Sequence, residues 1–152
     1  MPLVVLPVPH IQQHGIGDCL ATCSLMVLTY LRHNVSYQQL FSLLQTDWYG
    51  TAFSNISNLE KLGVTVVHEQ GTLTKLYDHL KQNRPCIVAV NTNELPYWDE
   101  TTPHAIVVVG MDENWIYLND PVFATAPMQV SHGDFDLAWF EQDEFYATFI
   151  TT

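Results

Sequence analysis

The residue types with the most chemical reach in this chain are a cysteine, a histidine and an aspartate, met in that order. Cys19 ends the run Gln13-His14-Gly15-Ile16-Gly17-Asp18-Cys19 and is followed at once by a largely apolar stretch, residues 20–31. A thiol at that junction is expected on the first turn of a helix. The unsatisfied N–H groups there, with about half a positive charge, favour thiolate over thiol and draw a cysteine pKa down from about 8.5. Far along the chain, His104 opens the apolar run Ala105-Ile106-Val107-Val108-Val109-Gly110, and a second strand-like run ends at Asn119-Asp120-Pro121. A hairpin between the two runs would bring Asp120 beside His104. Thiolate, imidazole base and orienting carboxylate are the parts of nucleophilic acyl chemistry.

Each of these residues also has a plainer reading. A cysteine in apolar surroundings is usually a small buried hydrophobe, which is the reading for Cys23 and Cys86. Asn-Asp-Pro is an ordinary turn signal, so Asp120 could serve only the turn, and Asn119 is the next candidate for orienting the ring. Three cysteines without close pairing indicate neither a disulfide framework nor a structural zinc site, and no metal or other cofactor is expected. In the segment before His104, Trp98 could stack on a substrate side chain, while Asp99 and Glu100 could receive a cation. A long loop leading to a base is well placed to wall a groove.

The elements that must position these groups read as helices first and strands later. Apolar positions between residues 18 and 33 are dense enough that a helix there must be buried on most sides. Ser36-Tyr37-Gln38-Gln39 has the pattern of a capping box opening a helix through Leu44. Ser54 or Asn55 would cap a short helix to Leu62, closed by Gly63, and residues 64–67 read as a strand. Leu73, Leu76, Tyr77 and Leu80 mark a helix ending before Pro85. Strands are then expected over residues 86–90, 104–111, 115–119 and 144–150, with one late helix over 134–140. This pattern describes an α+β fold in one domain, residues 1–152.

At 152 residues, with 47% hydrophobic and 14% charged content, the chain can close a core on its own. The longest uninterrupted apolar run is far too short to cross a bilayer, and the N-terminus lacks the basic region and cleavage site of a secretory signal, so a cytoplasmic protein that keeps its N-terminus is expected. Residues 85–152 contain eleven acids and no Lys or Arg, which accounts for the whole net charge of -11. Nucleic acid is thereby an unsuitable partner, since phosphate binding needs a basic face. The plainer reading of this acidity is solubility; the functional one is an acidic rim that steers a cationic peptide.

Taken together, Gln13-x-x-x-x-Asp18-Cys19, Met26-Val27-Leu28-x-Tyr30-Leu31, Pro85-Cys86-Ile87-Val88, His104-x-x-Val107-Val108-x-Gly110 and Asn119-Asp120-Pro121 resemble the bacteriocin-processing cysteine peptidases and their free-standing relatives. The resemblance runs over nearly the whole chain, with Ser131, Phe135 and Trp139 matching the family's late helix. It implies a papain-like fold whose central helix carries the nucleophile Cys19, with His104 as general base, Asp120 orienting the imidazole and Gln13 as the oxyanion-hole glutamine. By sequence alone Gln12 competes with Gln13, and the family spacing selects Gln13. The implied activity is hydrolysis of a peptide bond, with leader-peptide processing as the family's best-known task. Leu20, Ala21 and Thr22 stand where relatives usually have glycine, often proline, and a small residue. A bulky Leu20 would crowd the substrate backbone, so a peptide-binding module of the same fold is the alternative, and acyl transfer to an amine is another.

Overall fold

The computed structural model describes residues 1–151, and its organising element is α1, Cys19–Tyr30. Leu20, Ala21, Cys23, Met26, Val27 and Leu28 are all buried, leaving the helix almost no solvent face. This is what apolar residues on every side of a helix require. Each buried Leu or Met there contributes about 1.5–3 kcal/mol relative to exposure. The helix ends earlier than residue 33. Arg32 turns left-handed (φ 61°), and the His33 N–H returns to the Leu28 carbonyl at 2.9 Å, closing the last turn.

α2, Tyr37–Leu44, packs beside α1 and begins with the expected capping box: Ser36 Oγ accepts from the Gln39 N–H, and the Gln39 side chain accepts from the Ser36 N–H. The next element is a 3-10 helix, Phe53–Leu62, that starts before Ser54 and is capped by neither Ser54 nor Asn55. Their expected capping role is overturned for a clear reason. The Asn55 and Asn58 side-chain amides donate to the Leu44 and Leu43 carbonyls, both at 2.9 Å, and so tie the segment to the end of α2. Left-handed Gly63 (φ 90°) then turns the chain into β2, Thr65–Gln70. Thr72 caps α3, Leu73–Lys81.

Seven antiparallel strands form one sheet in the order β2-β7-β3-β4-β5-β6, with β1 (Val4–Val5) joined to β4. The others are β3 (Cys86–Asn91), β4 (Pro103–Met111), β5 (Trp115–Asn119), β6 (Met128–Ser131) and β7 (Phe145–Ile150). β1 and β6 are short additions that the local pattern does not announce. Gly110 is where β1 crosses closest, since a Cβ there would stand 2.7 Å from the Val4 carbonyl oxygen. α4, His132–Phe140, starts two residues before the expected 134, because Ser131 Oγ accepts from the Asp134 N–H at 3.1 Å as its cap. The arrangement is α+β, with α1 lying against β4 where the helical elements meet the sheet.

Candidate active site

Cys19 is the first residue of α1 and sits where the helical part and the sheet meet. The loop before it is set by Asp18, whose Oδ2 accepts from the Gly15 N–H at 2.8 Å instead of capping the helix. Gly17 is buried against a second loop. A Cβ there would lie 2.5 Å from the Asp47 carbonyl oxygen and 2.7 Å from the Gly50 nitrogen, so only glycine allows the two backbones to approach. That second loop is itself closed by reciprocal hydrogen bonds, Asp47 N–H to Gly50 O at 3.2 Å and Gly50 N–H to Asp47 O at 3.3 Å.

His104 is the second residue of β4, paired with Val90 of β3, and Asp120 follows the last residue of β5. His104 Nε2 and Asp120 Oδ1 are 2.8 Å apart, with His104 8% exposed and Asp120 fully buried. The ring also lies near enough to the Cys19 thiol for each group to shift the other's pKa, and Nε2, engaged by Asp120, leaves Nδ1 as the nitrogen free to serve the sulfur. The hairpin thus delivers one imidazole between a thiol and a carboxylate.

Four donors hold Asp120. Oδ1 accepts from His104 and from the Val122 N–H (3.1 Å), while Oδ2 accepts from the Tyr97 hydroxyl and the Trp98 indole N–H, both at 2.9 Å. A buried carboxylate needs this many partners to stay ionised. Trp98 also sets its edge against the His104 ring, with centroids 5.1 Å apart. Its polar end is therefore spent on Asp120, and its ring covers the imidazole as well as walling the cleft. Tyr97 escaped the sequence reading. The signal that could have found it is the demand itself, since one histidine cannot satisfy a buried carboxylate and Tyr97 is an aromatic donor in the loop leading to His104.

Burial opposes ionisation at each member of this cluster and is outweighed. At Cys19, burial raises the thiol pKa, yet the hydrogen bond and charge of His104, with the Ala105 and Leu20 backbone N–H groups, bring it below its usual value. At His104, burial works against the imidazolium, but hydrogen bonds to Asp120 and Cys19 push the ring up to about 9. Asp120 is held below the usual carboxylate range despite its burial, chiefly by His104. Cys23 and Cys86 lie in the core, where burial drives both thiols upward. The three shifts all run toward thiolate, imidazolium and carboxylate.

The remaining sequence candidates fall in different places. Gln13 lines the cleft, and its backbone N–H donates to the Pro121 carbonyl at 2.7 Å, tying the loop before Cys19 to the turn after Asp120. Its side-chain Nε2 donates to the Gly15 carbonyl at 2.7 Å, and its Oε1 is buried without a partner. Gln12 instead reaches the Val122 carbonyl from an exposed position. Asn119 points its amide at the Val8 carbonyl (3.3 Å) and takes no part in orienting His104. Asp99 is exposed and outside the lining of the cleft, whereas its neighbour Glu100 belongs to it. Leu20 is 2% exposed, so its bulk is packed into the core although it contributes to the lining of the cleft.

Cys19 and His104 open into a cleft of about 1000 Å³ between the two parts of the fold. A thiol at the head of a buried helix, met by an imidazole from an antiparallel sheet, defines the papain-like class of α+β cysteine peptidase folds. Residues 7–142 match the peptidase C39 family, and the chain belongs to that family. Among solved structures, a protein from Bacillus anthracis described as a C39-like peptidase has a TM-score of 0.83 at 19% identity, covering 100% of this chain and 99% of that one. The peptidase domain of Streptococcus ComA, a bifunctional ABC transporter involved in quorum sensing, has a TM-score of 0.77 at 21% identity, with 95% and 99% covered. A double glycine motif protease from an AMS/PCAT transporter, in complex with the leader peptide, has a TM-score of 0.73 at 22% identity, with 98% and 95% covered. At such identities the likeness establishes the fold. No curated protein matches the sequence closely enough to count as a relative. Among the described residues, no helix is long and apolar enough to cross a membrane.

Proposed function

We propose that the protein is a thiol peptidase that cleaves a peptide bond through an acyl-enzyme on Cys19. The observation that carries this reading is His104 held between the Cys19 sulfur and Asp120, with Nε2 at 2.8 Å from Oδ1 and the two pKa values moved toward the ion pair. In the first half-reaction the thiolate attacks the carbonyl carbon, and the negative charge passes to the carbonyl oxygen. The Cys19 backbone N–H and the Gln13 amide are the donors for that oxygen; Gln13 Nε2 lies 2.7 Å from the Gly15 carbonyl and 3.4 Å from the Ile16 carbonyl, and the substrate oxygen displaces the longer of these contacts. Collapse of the adduct breaks the C–N bond, and the imidazolium gives its Nδ1 proton to the departing amine. In the second half-reaction neutral His104 takes a proton from water. The resulting hydroxide attacks the thioester, and the thiolate leaves. Asp120 keeps the ring oriented throughout and stabilises its cation. The steps use no cofactor.

The substrate is an extended peptide of the leader type. The leader-bound transporter protease of the same fold supports a peptide, and the net charge of -11 favours one that carries cations. Three free thiols fit work in the reducing cytoplasm. The test is single turnover of a peptide substrate together with iodoacetamide labelling at pH 6. Labelling at Cys19 is expected, far faster than at Cys23 or Cys86, with loss of turnover in Cys19→Ala and His104→Ala. Turnover that survives either substitution overturns the reading. A Cys19 that labels no faster than the buried thiols leaves a peptide-binding module in its place.

A further inference from the structure

The loop before Cys19 is anchored at its two ends, by the Gln13 N–H on the Pro121 carbonyl and by Gly17 against the Asp47–Gly50 turn, while His14, Gly15 and Ile16 between them are exposed. Those anchors do not fix how the middle turns. The Gln13 amide depends on that middle, because Nε2 sits over the Gly15 and Ile16 carbonyls at 2.7 and 3.4 Å. The side chain that ties the middle to the helical part is His14, whose ring lies flat on Tyr37 with centroids 5.3 Å apart and planes 8° apart. Tyr37 is itself held. It is the first residue of α2, beside the Ser36 cap, and meets Phe41 edge to face with centroids 4.8 Å apart. Its hydroxyl hydrogen-bonds the hydroxyl of Thr22, which is fully buried on α1 three residues after Cys19. A stacked pair of rings has a defined geometry as well as an energy. The helix that carries the nucleophile is thus linked, through Tyr37 and His14, to the loop that carries the oxyanion donor.

We propose that His14 is a positioning residue for Gln13: stacked on Tyr37, it holds the turn of residues 13–16 so that the Gln13 amide stands within reach of the oxygen on the carbonyl that Cys19 attacks. The inference rests on the peptidase reading and adds to it the part that sets the distance between nucleophile and oxyanion donor. His14 lines the cleft, yet its ring is committed to Tyr37 and not to substrate. The contact requires a flat ring and no charge, so Phe can replace His14 and Ala cannot. Without the stack the turn gains other arrangements, and the amide meets the developing charge in only a fraction of molecules.

The experiment compares two reagents on the full-length protein. p-Nitrophenyl acetate acylates Cys19: the sulfur bonds to the carbonyl carbon, an oxyanion forms, and p-nitrophenolate leaves as the thioester is completed. Iodoacetamide alkylates the same sulfur by displacement of iodide, with no oxyanion. The ratio of the two rate constants at Cys19, assigned by peptide mass and referred to the same ratio for glutathione, therefore reads the oxyanion donors. In wild type it is expected to stand about 10²-fold above glutathione, to fall about tenfold in His14→Ala, and to return in His14→Phe. Alkylation and urea unfolding stay at wild-type values, which a general loosening of the fold would move. Tyr37→Leu is expected to lower the ratio as His14→Ala does, and the double variant to lose no more than either single one. An unchanged ratio in His14→Ala, a parallel fall of both rates, a failure of Phe to restore the ratio, or losses that multiply in the double variant overturns the positioning role. So does a wild-type ratio no higher than that of glutathione. Wild-type Cys19 that alkylates at pH 6 no faster than Cys23 or Cys86 removes the peptidase reading and the positioning role with it. Fast alkylation with a high ratio indifferent to His14 leaves the peptidase and removes only the role of the stack.

Discussion

Tyr97 and Asp120 are 23 residues apart in the chain and joined by a 2.9 Å hydrogen bond. Because the neighbouring Trp98 reaches the same oxygen, the loop before His104 is fastened to the carboxylate that orients His104. The chain folds back on its own site, and the loop has a second pin. Thr92 is fully buried, with its hydroxyl donating to the Glu100 carbonyl at 2.6 Å and accepting from the Thr102 N–H at 2.9 Å.

Tyr97→Phe removes one of four donors from a buried anion. A hydrogen bond to a charged group is worth about 1.5–3 kcal/mol, and unfolding by denaturant is expected to register a loss of that size. Labelling of Cys19 at pH 6 should persist, because Oδ1 still holds His104. A large drop in labelling with unchanged stability would contradict this division of labour.

The pH profile follows from the direction of each shift. The ion pair forms as pH rises through the lowered pKa of Cys19 and dissolves as His104 loses its proton near 9. Plotted against pH, kcat/KM is expected to be a bell whose alkaline limb lies near pH 9. An alkaline limb near the ordinary histidine value of about 6.5 would mean that Asp120 and Cys19 do not support the imidazolium. The same raised pKa contributes stability that is complete below about pH 6.5 and is lost as pH climbs toward 9.

Gly17→Ala places a methyl 2.5 Å from the Asp47 carbonyl oxygen, so one of the two loops must move. Cys19 is two residues away. Labelling of Cys19 is expected to slow by about tenfold or more, since a displacement near 1 Å at such a site costs heavily. A variant that labels and unfolds like wild type would show that the contact is slack.

Gln13→Ala tests the proposed oxyanion donor. Turnover should fall by about 10²–10³, while iodoacetamide labelling, which generates no oxyanion, stays near the wild-type rate. Equal losses in both assays would assign Gln13 to loop structure through its bond to Gly15.

Away from the cleft, buried His79 links Arg84 to Tyr146 and Glu69. Arg84 Nε donates to Nδ1 at 3.2 Å, Nε2 meets the Tyr146 hydroxyl at 2.9 Å, and that hydroxyl donates to Glu69 at 2.8 Å. Burial, then the Arg84 cation, lowers the His79 pKa below its usual 6.5. The unfolded chain therefore binds the proton more readily, and stability falls as pH drops through about 6.5. Urea unfolding at pH 7 and 5 should show a smaller acid loss in His79→Gln than in wild type.

What the sequence carried openly was local or periodic. The apolar density after Cys19 means a buried helix, Ser36-x-x-Gln39 means a capped one, and the two apolar runs around residues 112–114 mean a hairpin whose ends bring His104 and Asp120 together. These readings need only backbone geometry and the period of side chains. The 3-10 form of residues 53–62, the strands β1 and β6, and the place of Tyr97 and Trp98 behind Asp120 depend on partners far along the chain, which no local pattern names. The chain alone therefore named the groups to which the proposed chemistry is assigned, and their order. Only tertiary contact decided their charge, because burial and four converging donors exist nowhere but in the folded protein.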